Sequence, residues 1–466
     1  MRAFGTSRAA IALLAVAALI GMTAESRSAG KEDSNLAAGK LGKRIAAWLK
    51  AAESAGFSGT VLAARQGEVV AAVGVGYADE KGKQRIAPTT LLEIASATKQ
   101  FTSAAILVLV QQGKLELDDS ISDHLPGVPE ECRAITIRHL LQHTSGIPGT
   151  NSKGGGDKLE LVLPVFLVGG PKHTPGSHWE YWNQGYALLS EIIARASGQS
   201  YVEFCKANLF APAGMSVSCF TGDKKPRGAK VAVGRSSRGQ PRSALDHPYG
   251  SYGFQYRGMG GAVTNVWDLW RWDRTLCGVE LLSEESKKQL FQPGLEDYAL
   301  GWRVKRNRDG RLVQSHGGSV RGFLCEIRRY PSEDGCLFVL SNRDDAPIGR
   351  VADAVEALLF GGEAKPMKAR PQPLDESLAK ALVGRYLSDR GNELVIERNG
   401  AEVRFRLNWV RPAGAVTRGV IGRAGKSKSK VLIDHGSGVD EVELKRKGRK
   451  PVHALGWDGH WYRRRD

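Results

Sequence analysis

The apolar and polar positions of this chain fall into blocks whose period changes along its length. "LAAGKLGKRIAAWLKAAESAG" repeats its apolar residues at helical spacing and ends near Gly56. "FSGTVLAARQGEVVAAVGVGYAD" then alternates strand-like runs with turn signals at Gln66-Gly67 and Gly74 to Gly76, the pattern of an antiparallel hairpin. The segment from Ser96 to Gln112 predicts a helix stopped by Gly113, and "YALLSEIIARASG" a second one stopped by Gly198. "VWDLWRWDRTL" and "EESKKQLF" predict two more. Strand patterns return at "LGWRVKR", "FLCEIRRY" and "CLFVLSNR", the last two joined by the turn-like "PSEDG". A helix over "GRVADAVEALLFG" closes the region.

This order implies an α+β domain: an antiparallel sheet built from both ends of the chain, flanked by helices, with a helical subdomain between them. "KGGGDK", "GDKKPRGAK" and "RSSRGQPRSALDHPYG" read as long surface loops. Near "EAKPMKARPQPLDE" the composition turns to Pro and Lys, marking a linker over residues 364–376. From 377 to 466 short alternating runs separated by turns predict a small all-β barrel or sandwich.

At the other end, Arg2 and Arg8 precede "AAIALLAVAALIGM" and the polar "TAESRSAG", which reads as a secretory signal over residues 1–29. That leaves 30–363 for the sheet-and-helix domain. The expected location is periplasmic or extracellular. An uncleaved segment would instead anchor the protein, although the apolar run is short beside the roughly 20 residues a spanning helix needs.

Composition changes this picture only slightly. In 466 residues, 42% are hydrophobic and 25% charged, as in ordinary globular proteins. Six cysteines (Cys132, Cys205, Cys219, Cys277, Cys325 and Cys336) include no C-x-x-C pair, which argues against a zinc or redox site. They read as small buried hydrophobes, with room for one bridge. The net charge of +17 is uneven: from Pro366 onward 22 Lys and Arg face 12 Asp and Glu. Such an excess either attracts an anionic envelope polymer to the C-terminal domain or simply keeps exposed strands soluble. "KSKSK", "KRKGRK" and "RRR" come without an RNA-binding signature, so no nucleic-acid partner is expected.

Candidate chemistry begins at "EIASATKQ", where Ser96 and Lys99 form S-x-x-K. A serine hydroxyl needs a base to become a nucleophile. On a helix, positions i and i+3 share a face, and a helix start favours developing negative charge. Lys99 must be neutral to act, so burial or nearby positive charge must lower its pKa. The same pattern recurs at Ser28/Lys31 beside the signal, Ser377/Lys380 beside the linker and Ser427/Lys430 in a polar run. Two later signals single out Ser96: "YWN" at Tyr181 to Asn183 and "HGG" at His316 to Gly318.

With these three motifs in order, the chain resembles the β-lactamase-related serine hydrolases, the group of class C β-lactamases, D,D-peptidases, D-aminopeptidases and esterases. "LLQHTSGIPG", "PGSHWEYWNQGYALLSEIIARASGQSYVEF", "LFAPAGM", "GMGGAVTNVWDLWRW" and "HGGSVRGF" resemble family landmarks in the same sequence, over residues 40 to 360. The resemblance implies a β-lactamase-like fold, an acylated nucleophile at Ser96, its partner Lys99, and Tyr181 as companion general base and acid. It implies that Asn183 hydrogen-bonds substrate and positions Lys99, and that His316 lines the cleft and tunes Tyr181. The oxyanion hole would be the backbone N–H groups of Ser96 and Ser319, with Gly317 and Gly318 allowing close approach. No cofactor or metal is implied.

Two departures carry weight. His316 replaces the lysine of true class C enzymes, so a fixed cation gives way to a group titrating near pH 6.5. This favours peptidase or esterase action, with weak β-lactamase activity at most. Trp182 replaces a small residue and would narrow the cleft, stack on substrate or pack away. The expected function is an exported hydrolase of small esters, peptides or β-lactam-like amides, with peptidoglycan-related D-amino-acid peptides foremost. The rival is an envelope-polymer-binding protein that retains the site without turnover. His139 and His143, at i and i+4, have metal-compatible spacing but no H-E-x-x-H glutamate, and helix-end hydrogen bonding is the expected role.

Overall fold

Residues far apart in the chain meet in one seven-stranded antiparallel sheet. The computed structural model describes residues 32–465 apart from 80, 153–155, 237–238, 368–373, 400–401, 411–415, 424–428, 435–438, 447–449 and 458. The expected signal lies outside the described residues, as do parts of the linker, of two predicted loops and of the basic C-terminal runs.

After helix α1 (Gly39–Ser54), the predicted hairpin forms as β1 (Gly59–Arg65) and β2 (Glu68–Val75). Helix α2 (Lys99–Gln111), α3 (Asn183–Ser197) and α4 (Val266–Cys277) follow the predicted segments closely. The chain returns to the sheet as β3 (Arg303–Arg306), β4 (Leu312–Val320), β5 (Phe323–Tyr330) and β6 (Gly335–Ser341), and α5 (Ile348–Leu359) follows. Leu36–Ala37 forms one edge, and the order from there is β2, β1, β6, β5, β4, β3. Thus β1 pairs with β6 across nearly three hundred residues. Helix α2 is apolar on most of its circumference, and Lys99 to Leu109 are all buried, the behaviour of a helix at the centre of a core.

One start point differs from expectation. The helix expected from Ser96 begins at Lys99, and a 3₁₀ turn over Ala95–Thr98 precedes it. Ala95 has φ of +45°, and a left-handed residue there cannot begin an α-helix. The helical middle also holds a small sheet of Leu92–Glu93, Ala262–Thr264 and Cys219–Phe220.

The chain divides into two compact units, the second comprising Trp48–Phe57, Asp345–Val351 and the residues from Lys365 onward. In the latter, β7 to β14 (Gly384–Ser388, Glu393–Asn399, Glu402–Asn408, Val416–Arg423, Lys430–Asp434, Val439–Lys445, Ala454–Trp457 and His460–Arg464) close into an eight-stranded barrel. Strand β9 shows why: Val403, Phe405 and Leu407 point in, while Glu402, Arg404 and Arg406 face solvent. The expected all-β domain is thus a closed barrel, with one short helix ahead of its first strand. Helix α6 (Glu376–Leu382) opens it, N-capped by the Asp375 carboxylate, which accepts from the Leu378 N–H, and it buries Leu378, Ala379, Ala381 and Leu382.

All six cysteines are free thiols, five of them buried and Cys277 exposed. Burial pushes the Cys205 and Cys219 thiols up to about 12, so they behave as small hydrophobes. Among the described residues no helix is long and apolar enough to cross a membrane.

Candidate active site

Ser96 sits half-buried in the tight turn that leads into α2. Hydrogen bonds fasten that turn from both sides. The Ile94 N–H donates to Ala262 O (3.0 Å), and the Ile94 carbonyl accepts from Cys325 Sγ (3.1 Å). Thr98 Oγ1 accepts from the Ala262 N–H (3.0 Å). So anchored, the turn holds Ala95 in a conformation that costs about 1 kcal/mol or more in isolation. Because the turn is 3₁₀, residues three apart eclipse, which brings the side chains of Ser96 and Lys99 over one another.

Lys99 is fully buried. Its Nζ donates to Asn183 Oδ1 (2.8 Å) and Met259 O (3.1 Å), and lies 4.9 Å from the centre of the Tyr181 ring. Burial pushes its pKa down, and the Tyr181 hydroxyl opposes that shift. A neutral amine has two N–H bonds, and the two acceptors take both. The lone pair is then left for a third partner.

Asn183 opens α3, and Trp182 before it settles one question left open. Its indole is buried, donates to Asn151 O (2.9 Å) and packs against Gly185. Trp182 neither narrows the cleft nor faces a substrate.

Strand β4 forms the other wall. It pairs with β3 only over Leu312 to Ser315, so the β4 edge from His316 to Val320 has no strand beside it there. His316 is buried, and its ring is fixed: Nδ1 donates to Gly317 O (2.6 Å), so Nε2 accepts from Tyr298 Oη (3.0 Å). Burial first, then the charges of Lys99 and Arg303, push the imidazole down to about 3. The expected titration near pH 6.5 is therefore overturned, because the ring is buried with both nitrogens engaged. At Gly318 a Cβ would lie 2.2 Å from Ile94 O, so only glycine lets β4 press against the Ser96 turn.

Ser96, Tyr181, His316, Gly317, Gly318 and Ser319 line one cleft of about 1100 Å³. Lys99 and Asn183 are bonded to each other next to it. Every predicted site residue thus gathers at one place. The arrangement offers a hydroxyl and a phenol on one water-accessible cleft with a desolvated amine beside it, the groups that acyl transfer needs.

The Beta-lactamase family profile matches residues 46–360. The chain belongs to the beta-lactamase-like serine hydrolases. A penicillin-binding protein of Bacillus subtilis (strain 168) is 31% identical over 368 residues, covering 72% of this chain and 80% of that protein. Among solved structures, the penicillin-binding protein from Bacillus halodurans matches with a TM-score of 0.57 and 27% identity, over 67% of this chain and 99% of that one. The D-amino acid amidase from Ochrobactrum anthropi SV3 shares the fold at a TM-score of 0.57 and 22% identity, over 66% and 92%.

Four features of this hydrolase's site were not expected from its sequence. The His143 ring packs against Tyr181 with centroids 4.2 Å apart and planes tilted by 44°, and its Nδ1 accepts from the Trp182 N–H (3.2 Å). Burial holds its pKa well below the ordinary value, so it is a neutral plate behind the phenol. His139 has the helix-end role expected of it: its Nδ1 accepts from the Thr136 N–H in a capping box. Tyr298 locks His316, as described. Arg303 lies over the rings of Trp179 (5.0 Å) and Tyr298 (5.8 Å) and lines the cleft. Finally, Glu93, three residues before Ser96, is buried against Arg242 and Tyr256 and ties the 242–256 loop to the Ser96 turn. "LLQHTSGIPG" contained His143 as a landmark, but its packing comes from tertiary placement and left no local signal.

Proposed function

We propose that this hydrolase cleaves small esters or amides through an acyl-enzyme on Ser96, with peptidoglycan-related D-amino-acid peptides as its substrate class. One observation carries the reading: Lys99 is desolvated, has two acceptors for its N–H bonds and stands one tight turn from a cleft-lining serine. Neutral Lys99 takes the Ser96 proton as Oγ bonds to the substrate carbonyl. Tyr181 carries a proton to the departing amine or alkoxide, and then activates the water that releases the acyl group. The backbone N–H groups of Ser96 and Ser319 hold the oxyanion, and Asn183 holds Lys99 and the substrate amide.

His316, uncharged, supports this site through Tyr298. The fixed positive charge for a substrate carboxylate then falls to Arg303, which lines the same cleft. A peptide carboxylate fits this arrangement, and the relationship to penicillin-binding proteins and the fold shared with a D-amino acid amidase favour a D-peptide or D-amide. Export follows from the signal-like N-terminus, and the basic barrel serves as a tether to an anionic envelope polymer.

The test is a stereochemical panel: N-acetyl-D-alanyl-D-alanine, its L,L isomer, matched D and L esters, and a chromogenic cephalosporin. The expected result is kcat/KM for a D substrate about tenfold or more above its L isomer and above the cephalosporin. Preference for the L isomers, or for the cephalosporin, contradicts the assignment.

A further inference from the structure

The cleft is larger than the chemistry around Ser96 requires. From the nucleophile it continues over the β4 edge to a second arm lined by Lys305, Arg306, Arg308, Arg328 and Glu356. The strand register shows how. Ser315, Gly317 and Ser319 share one face of β4 with Glu326 and Arg328 of β5 and with Arg303 and Lys305 of β3, and His316 and Gly318 share the other. Gly317 stands on the lining beside Glu326, and an added Cβ there would lie 3.2 Å from the Glu326 carboxylate, so a side chain would take up room in this part of the cleft.

The charges in this second arm are unequal in their freedom. Its carboxylates are all engaged. Glu326 and Asp353 pair with Arg328 (2.9 and 2.8 Å). Glu356 accepts from Arg328 (2.7 Å), Tyr330 (2.6 Å) and Asn307 (2.7 Å), and Asp309 pairs with Arg311 (2.9 Å). The cations of β3 and the turn after it are not so engaged. Among the described residues Lys305, Arg306 and Arg308 form no ion pair, and all three are exposed. Arg306 only donates to Gly310 O (2.7 Å) across its own turn. A wall whose acids are neutralised and whose bases are open presents positive potential inside a concave surface.

We infer that this arm is a subsite for an anionic extension of the substrate, held by Lys305, Arg306 and Arg308 while the scissile bond lies at Ser96. This rests on the acyl-enzyme reading and adds to it the chemistry of the remote part of the substrate: two or more carboxylates or phosphates spaced beyond the group that Arg303 faces. Planar guanidinium groups grip either anion through paired N–H bonds, and the lysine adds a point charge. Binding energy gathered here serves to orient the reacting carbonyl.

The test uses the full chain and two small probes, the tricarboxylate tricarballylate and tripolyphosphate, followed by titration calorimetry at low and high salt. The cleft variant is Lys305→Ala/Arg308→Ala, and the control is Lys40→Ala/Lys43→Ala, which removes the same charge from exposed positions outside the cleft lining. The inference expects at least one probe to bind, with affinity falling as salt rises. It expects about tenfold weaker binding to the cleft variant and unchanged binding to the control. The tighter of the two probes identifies carboxylate or phosphate as the natural anion. No binding of either probe, or equal weakening in cleft variant and control, overturns it. Binding is read without turnover, so a protein that binds anions here yet never acylates Ser96 would refute the catalytic reading and leave the subsite standing.

Discussion

At the scale of single residues, the site is a problem in proton placement. Lys99 is held in a dry site by two acceptors, and neutral it can accept the proton that Ser96 must lose. Lys99→Met, of similar length and without charge, removes the proposed base and relieves a desolvated amine. Its acylation rate should fall by about 10²- to 10⁴-fold, while its melting temperature stays level or rises. Stopped-flow acylation and a thermal melt check both halves. Tyr181→Phe keeps the ring packed against His143 and deletes only the hydroxyl, so hydrolysis should drop by about 10²-fold or more with the fold intact. The residues that could be read from the sequence were those in short ordered motifs: Ser96, Lys99, Tyr181, Asn183 and His316. His143, Tyr298 and Arg303 could not, because each reaches the site only through tertiary placement: His143 and Tyr298 beside Tyr181 and His316, and Arg303 on the cleft lining.

At the scale of elements, periodicity predicted what was long. The helices α2, α3 and α4, the β1–β2 hairpin and the alternating barrel strands all declare themselves through apolar spacing. The strands Leu92–Glu93, Cys219–Phe220 and Ala262–Thr264 are too short to show a period, yet the last of them supplies the bonds that fix the Ser96 turn. Helix α6 was missed because a single short helix beside a Pro-rich linker offers little pattern. The contact of β4 with that turn yields a sharp prediction. Gly318→Ala places a methyl 2.2 Å from Ile94 O, so either strand or turn must move. The expected loss is about 1–3 kcal/mol of stability, with acylation of Ser96 slowed further than that loss explains. Denaturant unfolding beside acylation kinetics measures the two effects separately.

At the scale of the whole molecule, the buried His143 and His316 and the half-buried His247 should make the protein acid-sensitive. His316 has a folded pKa of about 3 against an ordinary 6.5, and His247 about 4, both depressed chiefly by burial, as is that of His143. Between those values the unfolded chain binds protons that the folded chain refuses. Their contribution is therefore complete above pH 6.5 and is lost progressively as pH falls toward the folded values. For His316 alone this amounts to about 3 kcal/mol by pH 4. Stability should decline from pH 7 to pH 4, and His316→Asn, though less stable at pH 7, should show a shallower decline; equal slopes would remove His316 from the account.

The central claim, that the fold activates Ser96, is tested most directly by covalent capture. Wild-type protein and Ser96→Ala are treated with a fluorophosphonate and their intact masses recorded. The account predicts one adduct on the wild type and none on the variant. A folded wild type that stays unlabelled, or a variant labelled equally, would contradict it.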